Sequence, residues 1–198
     1  MKRAGITENR LVQAAAELAD ENGLHAVTVS ALARHFEVRP ASIYSHVANL
    51  DTLLDLTALQ ALDEIAERLA ETLPGKAGRS ALMAFANTHR DYAHTHPGRW
   101  QAAQRRLSPA TVAASAGSGR GGGSAIARSA RAIMSGYGLS PADETHAVRF
   151  LGSTINGFIA LETGGGFDHS DPSPAASWNR ILDAVDASLR NWPHTTTD

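Results

Sequence analysis

Residues 32–47, LARHFEVRPASIYSHV, hold two short helical patterns separated by a three-residue break. Leu32 and Phe36 lie four residues apart, as on one face of a helix, and Ile43 and Val47 repeat this spacing after the break. The break is too short to let the two helices pack antiparallel, so they must cross steeply and share a small apolar core. This geometry is that of a helix-turn-helix, whose second helix can enter the major groove of DNA.

The second of these helices has a polar face as well as an apolar one. Facing outward we expect Arg39, Ser42, Ser45 and His46, with Tyr44 near the edge of this face. Hydroxyl, phenol and imidazole groups hydrogen-bond phosphates and base edges, while Pro40 and Ala41 can contact thymine methyl groups. Because the formal net charge of the whole chain is −2, DNA binding must depend on this local placement. Two crossed helices that only cap a bundle would show the same apolar spacing, so the pattern alone leaves both interpretations open.

The composition of the chain excludes several classes of protein. With 198 residues, 43% of them hydrophobic, the chain can bury a sizeable core, and without cysteine it can form neither a disulfide framework nor a thiolate metal site. No apolar run approaches the roughly 20 residues that a membrane span needs, and residues 1–10 lack the apolar core of a signal peptide. We therefore expect a cytoplasmic protein without a membrane partner.

Almost every readable segment of the chain has a helical period, and none alternates convincingly as a strand does. Candidate N-caps precede four of these segments, at Thr7, Thr28, Asn49 and Ser140. By contrast, residues 108–124, SPATVAASAGSGRGGGS, have the composition of a flexible loop. The sequence therefore predicts an all-α fold, with a three-helix helix-turn-helix domain followed by a larger helical domain for ligand binding and dimerisation.

Aromatic residues with a few polar groups occur in the middle of the larger region. Such a mixture suits a mostly apolar pocket for a small effector, and it is equally compatible with core residues whose polar atoms are satisfied. The candidate pocket residues are Phe85, His89, Tyr92, Trp100, Phe150 and Thr154.

The predicted helix from Ser140 to Gly164 is apolar nearly all round, so it needs cover beyond that of its own domain. Small residues along one side allow a close approach, and the last helix carries an apolar stripe. A two-fold four-helix interface between two copies is the natural cover, and the alternative is an ordinary monomeric core. The candidate interface residues are Gly152, Asn156, Ala160, Trp178, Leu182 and Val185.

Signals for metal, cofactor or catalytic chemistry are weak. His89 and His96 lie two helical turns apart and His94 points elsewhere, so the histidines do not predict a metal site. The stretch GSGRGGGS, residues 117–124, lacks the strand and the GK[ST] ending of a phosphate-binding loop. With no Ser-His-Asp spacing apparent, we expect no metal, no cofactor and no enzymatic activity.

Residues 6–55, ITENRLVQAAAELADENGLHAVTVSALARHFEVRPASIYSHVANLDTLLD, resemble the N-terminal DNA-binding domain of TetR-family regulators. The resemblance implies that residues 39–47 form the recognition helix. It also implies that Thr28, Tyr44 and His46 contact the phosphate backbone, and that a second set, Arg39, Ser42 and Ser45, reads bases. The complete set of candidate DNA contacts is Thr28, Arg39, Pro40, Ser42, Tyr44, Ser45, His46 and Asn49.

The chain departs from the family pattern at three places. Glu37 stands where the family usually has a turn glycine, a position often at positive φ, and Leu50 stands where it often has a lysine facing phosphate. Near the C-terminus, NGFIALETGGGF is loosely similar to the WHG type of regulatory domain, named after Trp, His and Gly. Gly152 and Asn156 occupy the first two of these positions, and only Gly157 matches.

Taken together, these patterns predict a transcription regulator with a DNA-binding domain in residues 1–50 and an effector-binding and dimerisation domain in residues 51–198. We expect a homodimeric repressor that binds a palindromic double-stranded operator. A small, largely apolar effector would release it. An activator that needs no effector, and an all-α ligand carrier or enzyme, remain as alternatives; the carrier or enzyme would not need residues 32–47.

Overall fold

The computed structural model describes residues 5–115 and 121–193, and in these ranges all regular secondary structure is helical. The ten helices are α1 Glu8–Asn22, α2 Val29–His35, α3 Pro40–Ile43, α4 Leu50–Thr72, α5 Gly78–Thr95, α6 Pro97–Ala103, α7 Pro109–Ser115, α8 Gly122–Ser135, α9 Pro141–Thr163 and α10 Pro174–Arg190. The predicted all-α class is confirmed. No helix of the described ranges has the length and apolarity to cross a bilayer.

The four N-caps expected from the sequence all form. Side-chain oxygens of Thr7, Thr28, Asn49 and Ser140 accept hydrogen bonds from backbone N–H groups at the starts of α1, α2, α4 and α9, at 3.3, 3.1, 2.8 and 3.2 Å. Each cap satisfies a donor that the helix itself leaves unpaired, and is worth about 1 kcal/mol.

Two predicted elements differ in the structure. The expected loop 108–124 contains α7 and the first residues of α8. At the start of α7 the buried Asp55 carboxylate accepts hydrogen bonds from the Ser108 backbone N–H at 3.1 Å and the Thr111 hydroxyl at 2.9 Å. Residues 116–120 of that prediction lie outside the described residues. The recognition helix predicted over 39–47 ends at Ile43. The chain then tightens: the His46 N–H donates to the Ile43 carbonyl, three residues back, at 3.0 Å, and the Ser45 hydroxyl donates to the Ser42 carbonyl at 2.7 Å.

The described chain forms two compact units. Unit one comprises residues 5–67, 92–115 and 121–124, and unit two comprises residues 68–91 and 125–193. The two units are defined by which parts of the chain pack together, and not by function. The predicted functional boundary after residue 50 stays a prediction.

One apolar core joins the first four helices within unit one. Leu11, Leu32, Ile43 and Leu53 are fully buried there, each contributing about 2 kcal/mol by leaving water. Leu50 is half-buried against the same core. Its apolar side chain thus packs inward, at the position where the family often has a phosphate-facing lysine.

Candidate nucleic-acid interface

A tight turn connects α2 to α3. Its hydrogen bonds run from the Val38 N–H to the Ala33 carbonyl at 2.9 Å and from the Glu37 N–H to the Arg34 carbonyl at 3.1 Å. This pair of bonds is a Schellman motif, which ends a helix with one residue in the left-handed region. Val38 packs against the core of unit one and holds the turn in place.

The left-handed residue of this motif is Glu37, with φ 54°. Among the described residues it is the one position with positive φ that is not glycine. The conformation is the one that a glycine would adopt at the same place in the family pattern. A residue with a side chain destabilises the fold by about 1 kcal/mol in this conformation. Both hydrogen bonds of the turn form nevertheless, so the surrounding structure keeps Glu37 in the left-handed region.

The residues after the turn alternate between core and solvent in a helical register. Ile43 and Val47 are buried, at 0% and 6% exposure, and both point into the core of unit one. The three residues between them must therefore point outward, and Tyr44, Ser45 and His46 are all exposed. Tyr44 leaves 53% of its surface in solvent, which is high for a large aromatic residue.

Two polar side chains, one before α2 and one before α4, flank the helix-turn-helix and retain hydrogen-bond donors. Thr28 is exposed, and while its oxygen caps α2, its hydroxyl hydrogen can still be donated. Asn49 accepts with its side-chain oxygen from both the backbone N–H and the hydroxyl of Thr52, at 2.8 and 3.1 Å. Its amide NH2 group adds two further donors at the start of α4.

The local charge differs from that of the whole chain. Between residues 28 and 49 there are two arginines, Arg34 and Arg39, and one acid, Glu37, so the segment carries +1 against −2 overall. Arg39 is exposed, as are Pro40 beside it and the imidazole of His46. Ser42 is half-buried. All eight predicted DNA contacts thus lie between residues 28 and 49, a segment with a basic balance, and seven of them are exposed.

Family comparisons agree with this geometry. The family described as "Bacterial regulatory proteins, tetR family" matches residues 11–55, and the one described as "Tetracyclin repressor-like, C-terminal domain" matches residues 82–185, more than half of the chain. The chain belongs to the TetR family. It is a DNA-binding transcriptional regulator with an N-terminal helix-turn-helix. Neither description names the WHG type, which stays a prediction for this TetR-family chain.

Individual relatives extend over most of this TetR-family chain. An HTH-type transcriptional regulator of Mycobacterium tuberculosis is 30% identical over 172 residues, covering 85% of this chain and 75% of that protein. The structure of a TetR variant of Acinetobacter baumannii in complex with minocycline has a TM-score of 0.70 at 22% identity, covering 96% of this chain and 100% of the other. BioQ with its natural double-stranded DNA operator has a TM-score of 0.67 at 22% identity, covering 94% and 99%. The two structures share the fold with this chain.

Four of the six candidate effector residues belong to unit two. Phe85 and His89 are buried together in unit two, with ring centroids 4.4 Å apart and the His89 Nδ1 2.7 Å from the Phe85 carbonyl oxygen. Burial lowers the pKa of His89, and the bond to Phe85 offsets this only in part. A second pair is Phe150 and Thr154, whose hydroxyl donates to the Phe150 carbonyl at 2.9 Å.

The other two effector candidates, Tyr92 and Trp100, belong to unit one, where both are buried. The Tyr92 hydroxyl donates to the Glu64 carboxylate at 2.7 Å, and burial together with this bond raises the pKa of Tyr92. Both residues therefore have a structural explanation as core residues, the alternative that the sequence left open. Their part in an effector pocket stays a prediction.

A cavity of about 390 Å³ in unit two is lined by none of the six candidates. It lies among the end of α4, the turn from α4 to α5, and α8, and we call it the α4–α8 groove. Its lining includes Leu69, Leu73, Lys76, Ala81, Ser129 and Ile133. The sequence did not predict this groove, because its walls come from segments about 60 residues apart. Each segment shows apolar helical spacing, which does not indicate that the two segments meet.

The candidate dimer residues separate into two groups. On α9, Asn156 and Ala160 are exposed, and a Cβ placed on Gly152 would meet no atom within 4 Å. On α10, by contrast, the larger side chains are buried within the chain itself: Trp178, Leu182 and Val185 at 1%, 0% and 2% exposure. Trp178 also donates its indole N–H to Asn87 at 2.8 Å, so these three leave no surface for a second copy.

Proposed function

We propose that this TetR-family chain is a homodimeric repressor that binds a palindromic operator and is released from it by a small, largely apolar effector. The observation that carries the proposal is the fixed outward face of residues 39–46. Ile43 and Val47 anchor this segment in the core, and the cap at Asn49 fixes the helix that follows. The fold is also that of BioQ, whose structure includes its DNA operator.

The exposed side chains divide by the chemistry that they offer to a duplex. Arg39, Ser42 and Ser45 present groups that can reach base edges in the major groove. Tyr44 and His46 supply hydrogen bonds to phosphates, with Thr28 and Asn49 doing so from the flanks, and Pro40 offers an apolar contact to a thymine methyl. Because few of these groups carry a full charge, two copies binding together would give the affinity that one copy lacks.

Pairing of two copies is supported by the exposed face of α9. Phe150 and Leu161 leave 38% and 55% of their surfaces exposed, and between them the exposed side chains are small or polar, including Ser153, Asn156 and Ala160. Large apolar residues at both ends of a stripe that permits close approach suit helix-on-helix packing. A two-fold pair of this kind would read two half-sites about one helical turn apart or somewhat more.

Selection of bound fragments from a random duplex library tests the operator directly. We expect an inverted repeat with two half-sites, because a two-fold dimer presents the same recognition surface twice. Enrichment of a single unrepeated site, or no enrichment at all, would contradict the proposal. Sedimentation of the free protein at several concentrations provides the independent measurement of pairing.

Substitutions at the proposed surface test the contacts. Arg39→Ala and Tyr44→Ala should each weaken binding to the selected duplex, and Arg39→Ala should also relax the base preference at the position that Arg39 reads. Arg128→Ala removes an exposed arginine from α8 as the matched control and should leave binding unchanged. Far-UV circular dichroism should be the same for all three variants. Unaltered binding by the first two would refute the assignment.

Reporter transcription from the selected operator, with and without the regulator, separates repression from activation. We expect higher transcription without the regulator. A metabolite screen on the protein–operator complex then seeks the effector; because binding is linked, effector and operator should weaken each other by the same factor. Action on chromosomal DNA places the proposed function in the cytoplasm.

A further inference from the structure

The α4–α8 groove has an apolar wall on each side. Leu69 lies near the end of α4 and Leu73 directly follows that helix. Ile133 comes from α8, and Ala81 from α5. Leu69, Ala81 and Ile133 are themselves buried, so the walls belong to the packed core of unit two. A volume of about 390 Å³ lies in the range of small-molecule sites.

Two polar groups interrupt this apolar lining, and each has unused hydrogen-bonding capacity. Lys76 is the one charged residue of the lining; of its three donors, one is given to the Thr72 carbonyl, and within the described residues no carboxylate pairs with it. Lys76 directly follows the turn Pro74–Gly75, and all three residues are exposed.

The second polar group is the half-buried hydroxyl of Ser129 on α8. Helical hydroxyls elsewhere in the chain, such as those of Thr57, Thr88 and Ser188, donate to the carbonyl four residues back. The Ser129 hydroxyl makes no such bond, nor any other to a protein group in the part of the chain that the structure describes. The Ser129 hydroxyl is therefore available to exchange a hydrogen bond with a ligand group in the groove.

From these contacts we infer that the α4–α8 groove binds a small molecule with an apolar body and one anionic head group, such as a medium-chain carboxylate. The apolar body lies between Leu69, Leu73 and Ile133, and the carboxylate accepts hydrogen bonds from Lys76, within reach of the Ser129 hydroxyl. One cation at the end of an otherwise apolar site matches one negative charge at the end of an apolar chain. As an account of the effector, this inference rests on the proposed function.

Isothermal titration calorimetry of the full-length protein with decanoate tests the groove. Decanoate should bind the wild-type protein. Lys76→Gln should weaken its binding by about tenfold or more, as expected for loss of a charge-assisted hydrogen bond. Decan-1-ol, which has the same chain without the charge, should bind both proteins equally. Arg131→Gln removes a neighbouring cation of α8 that does not line the groove, and should leave decanoate binding unchanged.

A second variant tests the position of the apolar body. Ala132 is exposed and lines the groove from α8, so Ala132→Trp would fill the cavity without disturbing the core. We expect this variant to keep its helicity and lose decanoate binding. The inference is overturned if decanoate does not bind the wild-type protein, or binds Lys76→Gln with wild-type affinity, or still binds Ala132→Trp.

Fluorescence anisotropy with the selected operator duplex, with and without decanoate, separates this inference from the proposed function. Weaker operator binding in the wild-type protein, absent in Ala132→Trp, supports the groove as the effector site. Groove binding that leaves operator affinity unchanged overturns the effector role of this ligand class. If no operator binds at all, the proposed function fails, while the calorimetry still decides the groove.

Discussion

The Asp20 carboxylate caps the start of α6 by accepting a hydrogen bond from the Arg99 backbone N–H at 2.9 Å. Its other oxygen lies 3.1 Å from the Arg99 Nε and 3.2 Å from the His96 Nδ1. Arg99 in turn reaches Glu64 on α4 at 3.1 Å. One side chain near the end of α1 therefore binds α6, and through Arg99 the contact extends to α4, all within unit one.

Removing this cap should destabilise the protein. We expect Asp20→Ala to lower the free energy of unfolding by about 2–3 kcal/mol, since a helix cap and an ion pair with a largely buried arginine are lost together. Asp20→Asn keeps an acceptor for the Arg99 N–H and should cost about half as much. Urea unfolding measures both.

The matched control for this cap is an ion pair exposed to water. Asp183→Ala breaks the contact with Arg79, in which both side chains are about half exposed, and should have a much smaller effect. If Asp20→Ala and Asp183→Ala lower the free energy of unfolding equally, the Asp20 cap stabilises the fold no more than an exposed ion pair does.

Close packing of α6 on α1 gives a second prediction. A Cβ on Gly98 would overlap the Ala19 carbonyl group, which is backbone and cannot rotate away. Gly98→Ala should therefore force α6 away from α1 and cost about 1–3 kcal/mol of stability. Gly123→Ala is the comparison, because its Cβ would meet only the Leu62 side chain at 3.6 Å. That change should be neutral or stabilising, by up to about 1 kcal/mol. A stable Gly98→Ala variant would contradict the tight contact.

The turn of the helix-turn-helix provides a third prediction. Glu37→Gly removes the strain of a side chain at φ 54° and should stabilise the fold by up to about 1 kcal/mol, less the entropy that glycine gains in the unfolded chain. Glu37→Gln removes the negative charge and keeps the strain. Operator titrations should show tighter binding for both variants, with a gain in unfolding free energy for Gly alone. Equal stability of the Gly and Gln variants would argue against backbone strain.

Burial of His89 predicts a pH dependence of stability. Its pKa lies below the ordinary value of 6.5 because burial disfavours the charged ring. As the pH falls through about 6.5, the unfolded chain takes up a proton that the folded chain does not, so stability falls, by at most about 1.4 kcal/mol per pH unit. The fall ends once the pH passes the folded pKa. Urea midpoints between about pH 7.5 and 5.5 measure it.

His89→Asn should remove most of this pH dependence, since no ionisable group then remains at the buried position. His94→Asn changes an exposed histidine of the same helix and serves as the control. An unchanged pH profile in His89→Asn would show that other groups account for the slope. The carboxyl groups of Glu64 and Asp55 affect stability only at lower pH. Burial acts to raise the pKa of each, but hydrogen bonds and nearby arginines hold both pKa values below their ordinary range.

Helix caps and apolar spacing predicted the helices and the DNA-binding segment, because both features act between residues that are close along the chain. The caps at Thr28 and Asn49 and the apolar pair Ile43 and Val47 operate over three or four residues, so their spacing can be read directly. Ser108 and Pro109 repeat the order of Ser140 and Pro141, in which a serine caps the helix and a proline occupies its first turn. Their glycine-rich surroundings led to the prediction of a loop instead.

The sequence by itself determined the all-helical class, the helix-turn-helix and its outward polar face, because capping and helical period depend on near neighbours along the chain. Tertiary structure alone decided which residues meet across long separations. Asp20 and Arg99 are 79 residues apart along the chain, and the two walls of the α4–α8 groove come from segments about 60 residues apart. It also decided that Trp178, Leu182 and Val185 face inward, because an apolar stripe has the same spacing whether its own chain or a second copy covers it.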